Sequence, residues 1–226
     1  MLLDVKVSQD IWMTFGTPRI QRQFDNPALN EALHRIVLAK ETRFPEPRRG
    51  DGYDQSNVGG WRSESDLLNW PEPEVATLKG MIHEAAGQVM QLAGGGRQVQ
   101  IRADLSVAAW ANINRRGSYI ASHSHPGSHW SGVYYVSRGR PDEGRPINGV
   151  MELEDPRPAA ASALIPGFDF GYRERIEPEP GLMMIFPSWN VHMVHPFHGD
   201  GERISIAFNI ILHDFTLLTP NAQAGA

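Results

Sequence analysis

Apolar residues in the first hundred positions recur at the spacing of α-helices. Four of them lie three or four positions apart on one face of a first helix: Leu29, Leu33, Ile36 and Val37. Proline is favoured in the first turn of a helix, so Pro27 marks the start of this one, with Asp25 or Asn26 as its N-cap. A second helix is predicted over 71–92, and the glycines at 94–96 end it.

From residue 101 onward the apolar period changes to two, which is the repeat of a β-strand. Seven alternating positions in this stretch are apolar: Ile101, Ala103, Leu105, Val107, Ala109, Ala111 and Ile113. A strand-like segment also stands at 11–15, and a polar loop rich in Pro and Gly covers 44–60. Five further short strands are predicted over 131–136, 149–154, 172–177, 181–186 and 202–212. So many short strands favour a β-sandwich or barrel, accompanied by the N-terminal helices.

Composition narrows the classes of function. A length of 226 residues with 41% hydrophobic residues is enough for one domain with a sizeable core. The net charge is −5, without the basic stripe that phosphate backbones require, so nucleic acid is not an expected partner. The chain contains no cysteine. Any metal must therefore be bound by His, Asp or Glu.

The location of the protein is predicted from its apolar runs. The N-terminal segment carries an acidic residue, Asp4, and no apolar stretch typical of a signal peptide. The longest apolar run, 181–187, is far shorter than the roughly 20 residues that cross a membrane. We therefore expect a soluble cytoplasmic protein without a membrane partner, and a homodimer as the usual oligomer.

Six of the nine histidines fall in two short windows, 123–129 and 192–198. In an extended chain, residues two apart point to the same face, so His123 and His125 can bind one ion together. A third ligand must come from elsewhere. His192 and His195 are three apart and lie on opposite faces of a strand, so at most one of them completes the same site. We expect His192 to do so, and His195 is either a bystander or a residue of the site wall.

Three segments together carry a resemblance to a known family. They are HSHPGSHWSGVYYV at 123–136, GVMELEDPRP at 149–158, and the run from GLMMIFPSWN to RISIAFN at 181–209. With them, most of 101–212 resembles the superfamily of non-haem Fe(II)- and 2-oxoglutarate-dependent oxygenases, in particular its prolyl-hydroxylase-like members of unassigned substrate.

The resemblance implies a fold that is mainly β. Such enzymes have a double-stranded β-helix, the jelly-roll arrangement also found in cupins, which N-terminal helices buttress. We therefore expect a single domain over 1–226, with helical support over about 1–97, a jelly-roll core over about 98–213 and a short tail over 214–226.

The resemblance also implies roles for individual residues. His123 matches the first metal ligand of the family, His125 stands in the place of its acidic ligand, and His192 matches the distal ligand. Arg203 stands where a basic residue anchors the far carboxylate of 2-oxoglutarate, and Tyr135 matches a tyrosine that donates to the same carboxylate. An arginine can hold a carboxylate through two parallel hydrogen bonds.

Strand alternation supports the assignment of Arg203 independently. Arg203, Ser205 and Asn209 share one face of the predicted strand, whereas the other face is apolar. A small, polar inward face leaves room for a dicarboxylate and can bind its oxygens, and Asn112 is expected to contribute as well. The competing interpretations are a surface ion pair of Arg203 with Glu202 or Glu174, and structural roles for Tyr135, Asn112 and Asn209.

One departure from the family pattern leaves the metal open. The usual facial triad is two histidines and one carboxylate, whereas His125 occupies the acidic position. This could indicate a three-histidine site like those of cupin dioxygenases, a carboxylate from outside the motif such as Glu152 or Asp155, or a different metal, with iron, manganese and zinc as candidates. A zinc hydrolase would want an acidic base beside the metal-bound water, and no HExxH motif occurs.

The expected activity is that of a hydroxylase-type oxygenase that uses Fe(II), 2-oxoglutarate and O2. Its substrate would be a small molecule or a peptide, with Trp130, Trp189 and His195 as candidates for the substrate pocket. The alternatives are a cupin-like metal-binding sensor without turnover and a cupin dioxygenase that needs no keto acid. A role for Arg203 as a carboxylate anchor favours the oxygenase, because neither alternative requires one.

Overall fold

The computed structural model describes residues 16–45, 56–91, 100–157 and 173–218. The predicted strand at 11–15 lies outside these ranges, as do most of the loop 44–60 and the glycines at 94–96. Within the described ranges, two α-helices stand beside a strand-rich body.

The two helices begin close to their predicted starts. Helix α1 spans Pro27–Arg43, and its N-cap is Asn26, whose side chain accepts a hydrogen bond of 3.0 Å from the Leu29 amide. Helix α2 spans Pro73–Met90, slightly shorter than predicted, and also begins with proline. The described part of the chain contains no helix that is both long and apolar enough to cross a membrane.

In the described part of the chain, the larger of two sheets has six strands. In spatial order they are β1 (Ile20–Gln23), β9 (Leu182–Pro187), β6 (Trp130–Pro141), β11 (Gly199–Leu218), β4 (Gln100–Asn114) and β3 (Trp61–Arg62). All neighbouring pairs are antiparallel. The predicted strand 202–212 is longer at both ends in the structure, and it continues past a register shift between Leu212 and Asp214 into the region expected to be a tail.

The smaller sheet has five strands among the residues that the structure describes. In spatial order they are β2 (Asn57–Val58), β5 (Tyr119–His123), β10 (His192–Val194), β7 (Met151–Glu154) and β8 (Arg173–Ile176). Its neighbours are antiparallel too. Non-consecutive strands pair in both sheets, and together they form the expected jelly roll, with two N-terminal helices.

Two apolar cores flank the larger sheet. A helix-side core joins α1 and α2 to the outer face of this sheet, with Leu33, Ile82 and Phe208 among its buried residues. An inter-sheet core lies between the two sheets and includes Val133 and Leu153. The strand alternation is confirmed, because Ala109, Ala111 and Ile113 of β4 belong to the helix-side core. Opposite faces of the same strands therefore point into the space between the sheets.

Candidate metal centre

The three predicted ligand histidines come together at the start of β10. His123 ends β5 and lies directly opposite His192, the first residue of β10, in the register of the smaller sheet. His125 follows two positions after His123, and its amide donates to the Ser188 carbonyl at 2.9 Å. One nitrogen from each ring lies within 4.8 Å of the others. This spacing suits a single metal ion.

Two of the rings are oriented for ligation by backbone carbonyls. His123 Nδ1 lies 2.8 Å from the Ala121 carbonyl oxygen, and His192 Nδ1 lies 2.9 Å from that of Asn190. Because each Nδ1–H donates to a carbonyl, each Nε2 carries a lone pair for a metal. The donor set therefore fits a divalent ion.

The third ring is held by a side chain. His125 Nδ1 lies 3.4 Å from the side-chain amide of Asn209, whose other end lies 2.8 Å from Ser131 Oγ. The oxygen and nitrogen of an amide exchange places by a flip of the side chain. With the oxygen toward His125, Nδ1 donates to Asn209, Nε2 is left for the metal, and Ser131 accepts from the amide nitrogen. This orientation satisfies all three groups.

Burial keeps the imidazoles of His125 and His192 neutral. The pKa of His125 is lowered to about 3, first by burial and then by the charges of His123 and Arg62. The pKa of His192 is lowered to about 3 by burial and by the charge of His123. A neutral imidazole is the form that binds a metal, so the site does not have to lose protons from these two residues at neutral pH.

Neither proposed external carboxylate lies in the metal centre. Glu152 is buried, but its oxygens accept from Arg173, Arg175 and His195 at 2.8, 3.0 and 3.1 Å. Burial by itself raises the pKa of Glu152. Hydrogen bonds from His195 and Arg175 outweigh this effect and hold the pKa below its usual value. Asp155 pairs with Arg157. Among the described residues, the cluster consists of three histidines.

Arg203 is buried inside the jelly roll, with 1% of its surface exposed. Its Nε donates to the Gly149 carbonyl at 2.7 Å, and its Nη1 lies 3.5 Å from Ser205 Oγ. The competing surface ion pairs are wrong, because Glu202 faces Arg115 and Glu174 faces Arg19. Burial lowers the pKa of Arg203, yet a guanidinium stays charged in proteins.

One cavity between the sheets holds the histidines and Arg203 together. Tyr135, Ser205 and Asn112, which the sequence assigned to the same site, also line it. The Tyr135 hydroxyl donates to Met151 Sδ at 3.4 Å, and burial raises the pKa of this tyrosine. The remaining lining is mostly apolar and aromatic, and includes Ile120 and Phe186. Charged and apolar side chains therefore line the same cavity.

The other predicted site residues lie outside this lining. Asn209 contacts the His125 ring rather than the cavity. Trp130 packs against the helix-side core, on the opposite face of β6. His195 bonds to Glu152. Trp189 is 53% exposed in the turn between β9 and β10, beside the carbonyls that hold His125 and His192.

The sequence indicated only that Trp110 packs in the core or the cavity wall, and did not indicate the stack of rings that it forms beside the metal centre. The Trp110 ring lies 5.9 Å from His125, and the Arg62 guanidinium lies 4.5 Å from the Trp110 centroid. Phe186 meets His192 edge-on at 4.9 Å. Trp110 is a large aromatic residue on a face of β4 that is otherwise mostly small and polar, and this contrast could have indicated its position beside the site. Arg62 gives no such indication, because its strand has only two residues.

A jelly roll that brings three histidines and a buried arginine into one cavity has the architecture of the cupin-like class, and its histidines could hold a metal ion. Residues 108–209 match the family described as "Putative 2OG-Fe(II) oxygenase". The match confirms the resemblance seen in the sequence. This segment matches the Fe(II)- and 2-oxoglutarate-dependent oxygenases, a family whose cofactors are Fe(II) and 2-oxoglutarate.

Solved structures share the fold at low sequence identity. A Pseudomonas putida prolyl-4-hydroxylase is 15% identical, with a TM-score of 0.61 over 88% of this chain and 94% of that one. A Trichoplax adhaerens prolyl hydroxylase in complex with a hypoxia-inducible-factor peptide is 12% identical, with a TM-score of 0.58 over 85% and 83%. The α-ketoglutarate-dependent carbocyclase SnoK from nogalamycin biosynthesis is 12% identical, with a TM-score of 0.57 over 92% of this chain and 85% of that one. No curated protein matches the sequence.

Proposed function

We propose that this protein is a hydroxylase-type oxygenase in which His123, His125 and His192 hold Fe(II) and Arg203 anchors 2-oxoglutarate. The observation that carries the proposal is the single cavity shared by the three histidines and the buried guanidinium. A cation enclosed at this depth requires an anionic partner, and the far carboxylate of 2-oxoglutarate is one.

The surroundings of Arg203 orient it for a carboxylate. Its Nε is occupied by the Gly149 carbonyl, so the terminal nitrogens are left to meet two carboxylate oxygens side by side. Ser205 lies beside Nη1, and Tyr135 and Asn112 line the same cavity. We assign these three residues to polar contacts with the co-substrate. Asn209 is assigned instead to the orientation of His125.

Bound Fe(II) and 2-oxoglutarate supply the oxidation: O2 is reduced, 2-oxoglutarate is decarboxylated to succinate and CO2, and an oxygen atom is transferred to a C–H bond of the substrate. The chain contributes ligation, orientation and exclusion of water. Apolar side chains such as Ile120, Phe186 and Val194 wall the cavity beside the histidines. They keep bulk water away from the reacting centre.

For the substrate we propose a small molecule or a peptide. The structural neighbours include a prolyl hydroxylase in complex with a peptide and the epimerase SnoN in complex with nogalamycin RO, so proteins of this fold bind both kinds of molecule. Trp189 is the best placed of the predicted pocket residues, because its exposed ring adjoins the turn that holds two of the metal ligands. A cytoplasmic location and a homodimer stay predictions.

The absence of a carboxylate ligand among the described residues favours one alternative, a cupin-type dioxygenase that needs no keto acid. Both activities use iron and O2. They differ in whether 2-oxoglutarate binds to the metal, so a binding measurement separates them.

Anaerobic titration of the Fe(II)-loaded protein with 2-oxoglutarate tests the proposal. Chelation of iron by the keto acid should give a visible charge-transfer band that saturates. We expect His192→Ala to abolish the band and Arg203→Ala to weaken 2-oxoglutarate binding by roughly tenfold to a hundredfold, the range for a hydrogen-bonded charge. A metal-loaded protein without a band would favour the keto-acid-independent alternative.

Two surface variants serve as matched controls for this titration. Arg138→Ala removes an exposed arginine of strand β6, which pairs with Glu179. His213→Ala removes an exposed histidine that lies 2.9 Å from Ser106. Both should bind 2-oxoglutarate as the unaltered protein does.

A further inference from the structure

The strand that carries His192 is short and depends on its neighbours. Strand β10 has three residues, and its pairing with β5 is irregular, with a register shift between His192 and Val194. Its pairing with β7 on the other side is continuous, and places His192 opposite Leu153 and Met193 opposite Glu152. The position of this metal ligand is therefore set mainly by β7.

The contact between these two segments continues past β10 to the residue proposed to anchor 2-oxoglutarate. The His195 amide donates to the Val150 carbonyl at 2.9 Å, and the Gly149 amide donates to the Pro196 carbonyl at 3.2 Å. The Gly149 carbonyl in turn accepts from Arg203 Nε at 2.7 Å. One run of backbone pairs therefore joins a metal ligand at one end to the buried guanidinium at the other.

A buried carboxylate also links the two segments through their side chains. Glu152 lies on the outer face of the smaller sheet, opposite to the face of His192, because successive residues of a strand alternate between faces. The Glu152 side chain is 0% exposed, and its Oε2 accepts from His195 Nε2 at 3.1 Å. An ionised carboxylate can only accept, so the histidine is the donor. The contact ties the residue that follows β10 to the middle of β7.

The other described partners of Glu152 come from the edge strand β8. Arg173 and Arg175 donate to its two oxygens at 2.8 and 3.0 Å. Both arginines belong to a strand that pairs with β7 and not with β10. Among these three hydrogen bonds, the one from His195 is therefore the bond that attaches the β10 segment.

We infer that Glu152 and His195 are positioning residues for the metal centre, an inference that rests on the proposed function. Their hydrogen bond holds the segment after β10 against β7, and so fixes the place of His192 among the three ligands. Through the same run of backbone pairs it fixes the Gly149 carbonyl that orients Arg203. Neither positioning side chain lines the cavity itself.

The protein loaded with Co(II) tests the inference, because the visible d–d bands of this ion respond to the geometry of its ligands. His195→Phe keeps a ring but removes the donor, and we expect it to shift these bands. The affinities for Mn(II) and for 2-oxoglutarate should both fall about tenfold, the lower end of the range for residues that support metal ligands. His195→Gln places an amide N–H near the position of Nε2, so it should restore the bands and most of both affinities.

Arg175→Gln is the matched control. It removes a donor to the same oxygen, Glu152 Oε2, from a side chain that is 52% exposed and lies on β8. The Co(II) bands and both affinities should stay as in the unaltered protein. Equal shifts in Arg175→Gln and His195→Phe would overturn the inference, since the charge of the network rather than the attachment of β10 would then be responsible. Unchanged bands and affinities in His195→Phe would overturn it as well.

Urea unfolding of each variant separates positioning from a general loss of stability. The bands are recorded on folded protein, so a lower stability alone does not move them. If His195→Phe does not fold, Glu152→Gln, which keeps the size of the side chain, carries the same expectation and is judged by the same outcomes. The Co(II) bands require no 2-oxoglutarate. A missing charge-transfer band in the unaltered Fe(II) protein therefore contradicts the proposed function, whereas unchanged Co(II) bands in the variants contradict this inference alone.

Discussion

Asn209 connects the metal centre to the long strand β11 through a single side-chain amide. Its contact with His125 Nδ1 at 3.4 Å fixes which ring nitrogen faces the metal. Removing such a partner typically weakens metal binding by about tenfold to a hundredfold. We therefore predict this loss for Asn209→Ala, measured by competition for Mn(II) with a chromogenic chelator. Asn209→Asp keeps an acceptor for the Nδ1 proton and should retain most of the affinity, whereas unchanged binding in Asn209→Ala would exclude the positioning role.

Gly149 determines how Arg203 lies in the cavity. This glycine has φ +67°, its carbonyl accepts from Arg203 Nε, and an added Cβ would lie 3.2 Å from Arg203 Cδ. We predict that Gly149→Ala weakens 2-oxoglutarate binding about tenfold and leaves Mn(II) affinity unchanged, because it displaces the guanidinium and not the histidines.

Gly144 provides the control for this prediction. It also has positive φ, at +77°, but an added Cβ would meet nothing within 4 Å. Gly144→Ala should therefore cost about 1–2 kcal/mol of stability through its backbone conformation, without an effect on 2-oxoglutarate binding. Equal losses of co-substrate affinity in the two variants would mean that backbone strain, rather than contact with Arg203, is responsible.

For single residues, the sequence was most informative where residues of one type recur at a regular spacing. The spacing of His123 and His125 and the alternation around Arg203 were sufficient to predict neighbours in space. Asn209 was assigned to the co-substrate because it shares a strand face with Arg203, but its side chain reaches His125 instead. The strand face on which a residue lies does not determine which of two nearby partners its side chain contacts.

The docking of helix α1 on the larger sheet depends on one buried hydrogen bond. The Tyr134 hydroxyl donates to Asn30 Oδ1 at 2.6 Å, and both residues are buried. Tyr134→Phe leaves the asparagine oxygen buried without this donor, which costs about 1–3 kcal/mol. Urea unfolding should show this loss. Tyr119→Phe on β5, where the tyrosine is half-buried, should change stability by less than about 0.5 kcal/mol. Equal stability of the two variants would contradict the proposed anchoring.

Elements with strong periodicity were predictable, and short ones were not. Helix α1 and strand β4 follow the 3.6-residue and two-residue repeats that a buried face imposes. The two-residue strands β2 and β3 have no periodicity to read, yet they carry Asn57 to the cavity and Arg62 to the ring of Trp110. Their conformation depends on pairing with distant strands β5 and β4, and the sequence of so short a segment does not encode a distant partner.

The whole apoprotein should lose stability as the pH falls below about 6.5. The pKa values of His125 and His192 are about 3 in the folded state against an ordinary 6.5, so between these values the unfolded chain binds more protons. The free energy of unfolding should fall as pH decreases through this window, by up to about 2.7 kcal/mol per pH unit for two protons.

Urea unfolding of the metal-free protein at several pH values measures this dependence. Above pH 4.5 the lowered pKa of Glu152 contributes little, so the slope between pH 6.5 and 4.5 reports mainly on histidines. The double variant His125→Gln/His192→Gln should reduce the slope of the unfolding free energy against pH. An unchanged slope would show that these two residues are not the buried neutral pair.

The proposed function requires one cavity to hold iron and 2-oxoglutarate at the same time. Crystals of the protein with Fe(II) and 2-oxoglutarate, grown without oxygen, test this most directly, since anomalous scattering at the iron edge locates the metal. We predict iron on His123, His125 and His192, with the far carboxylate of 2-oxoglutarate within hydrogen-bond distance of Arg203. Iron at another site, or 2-oxoglutarate bound away from Arg203, would contradict the proposed function.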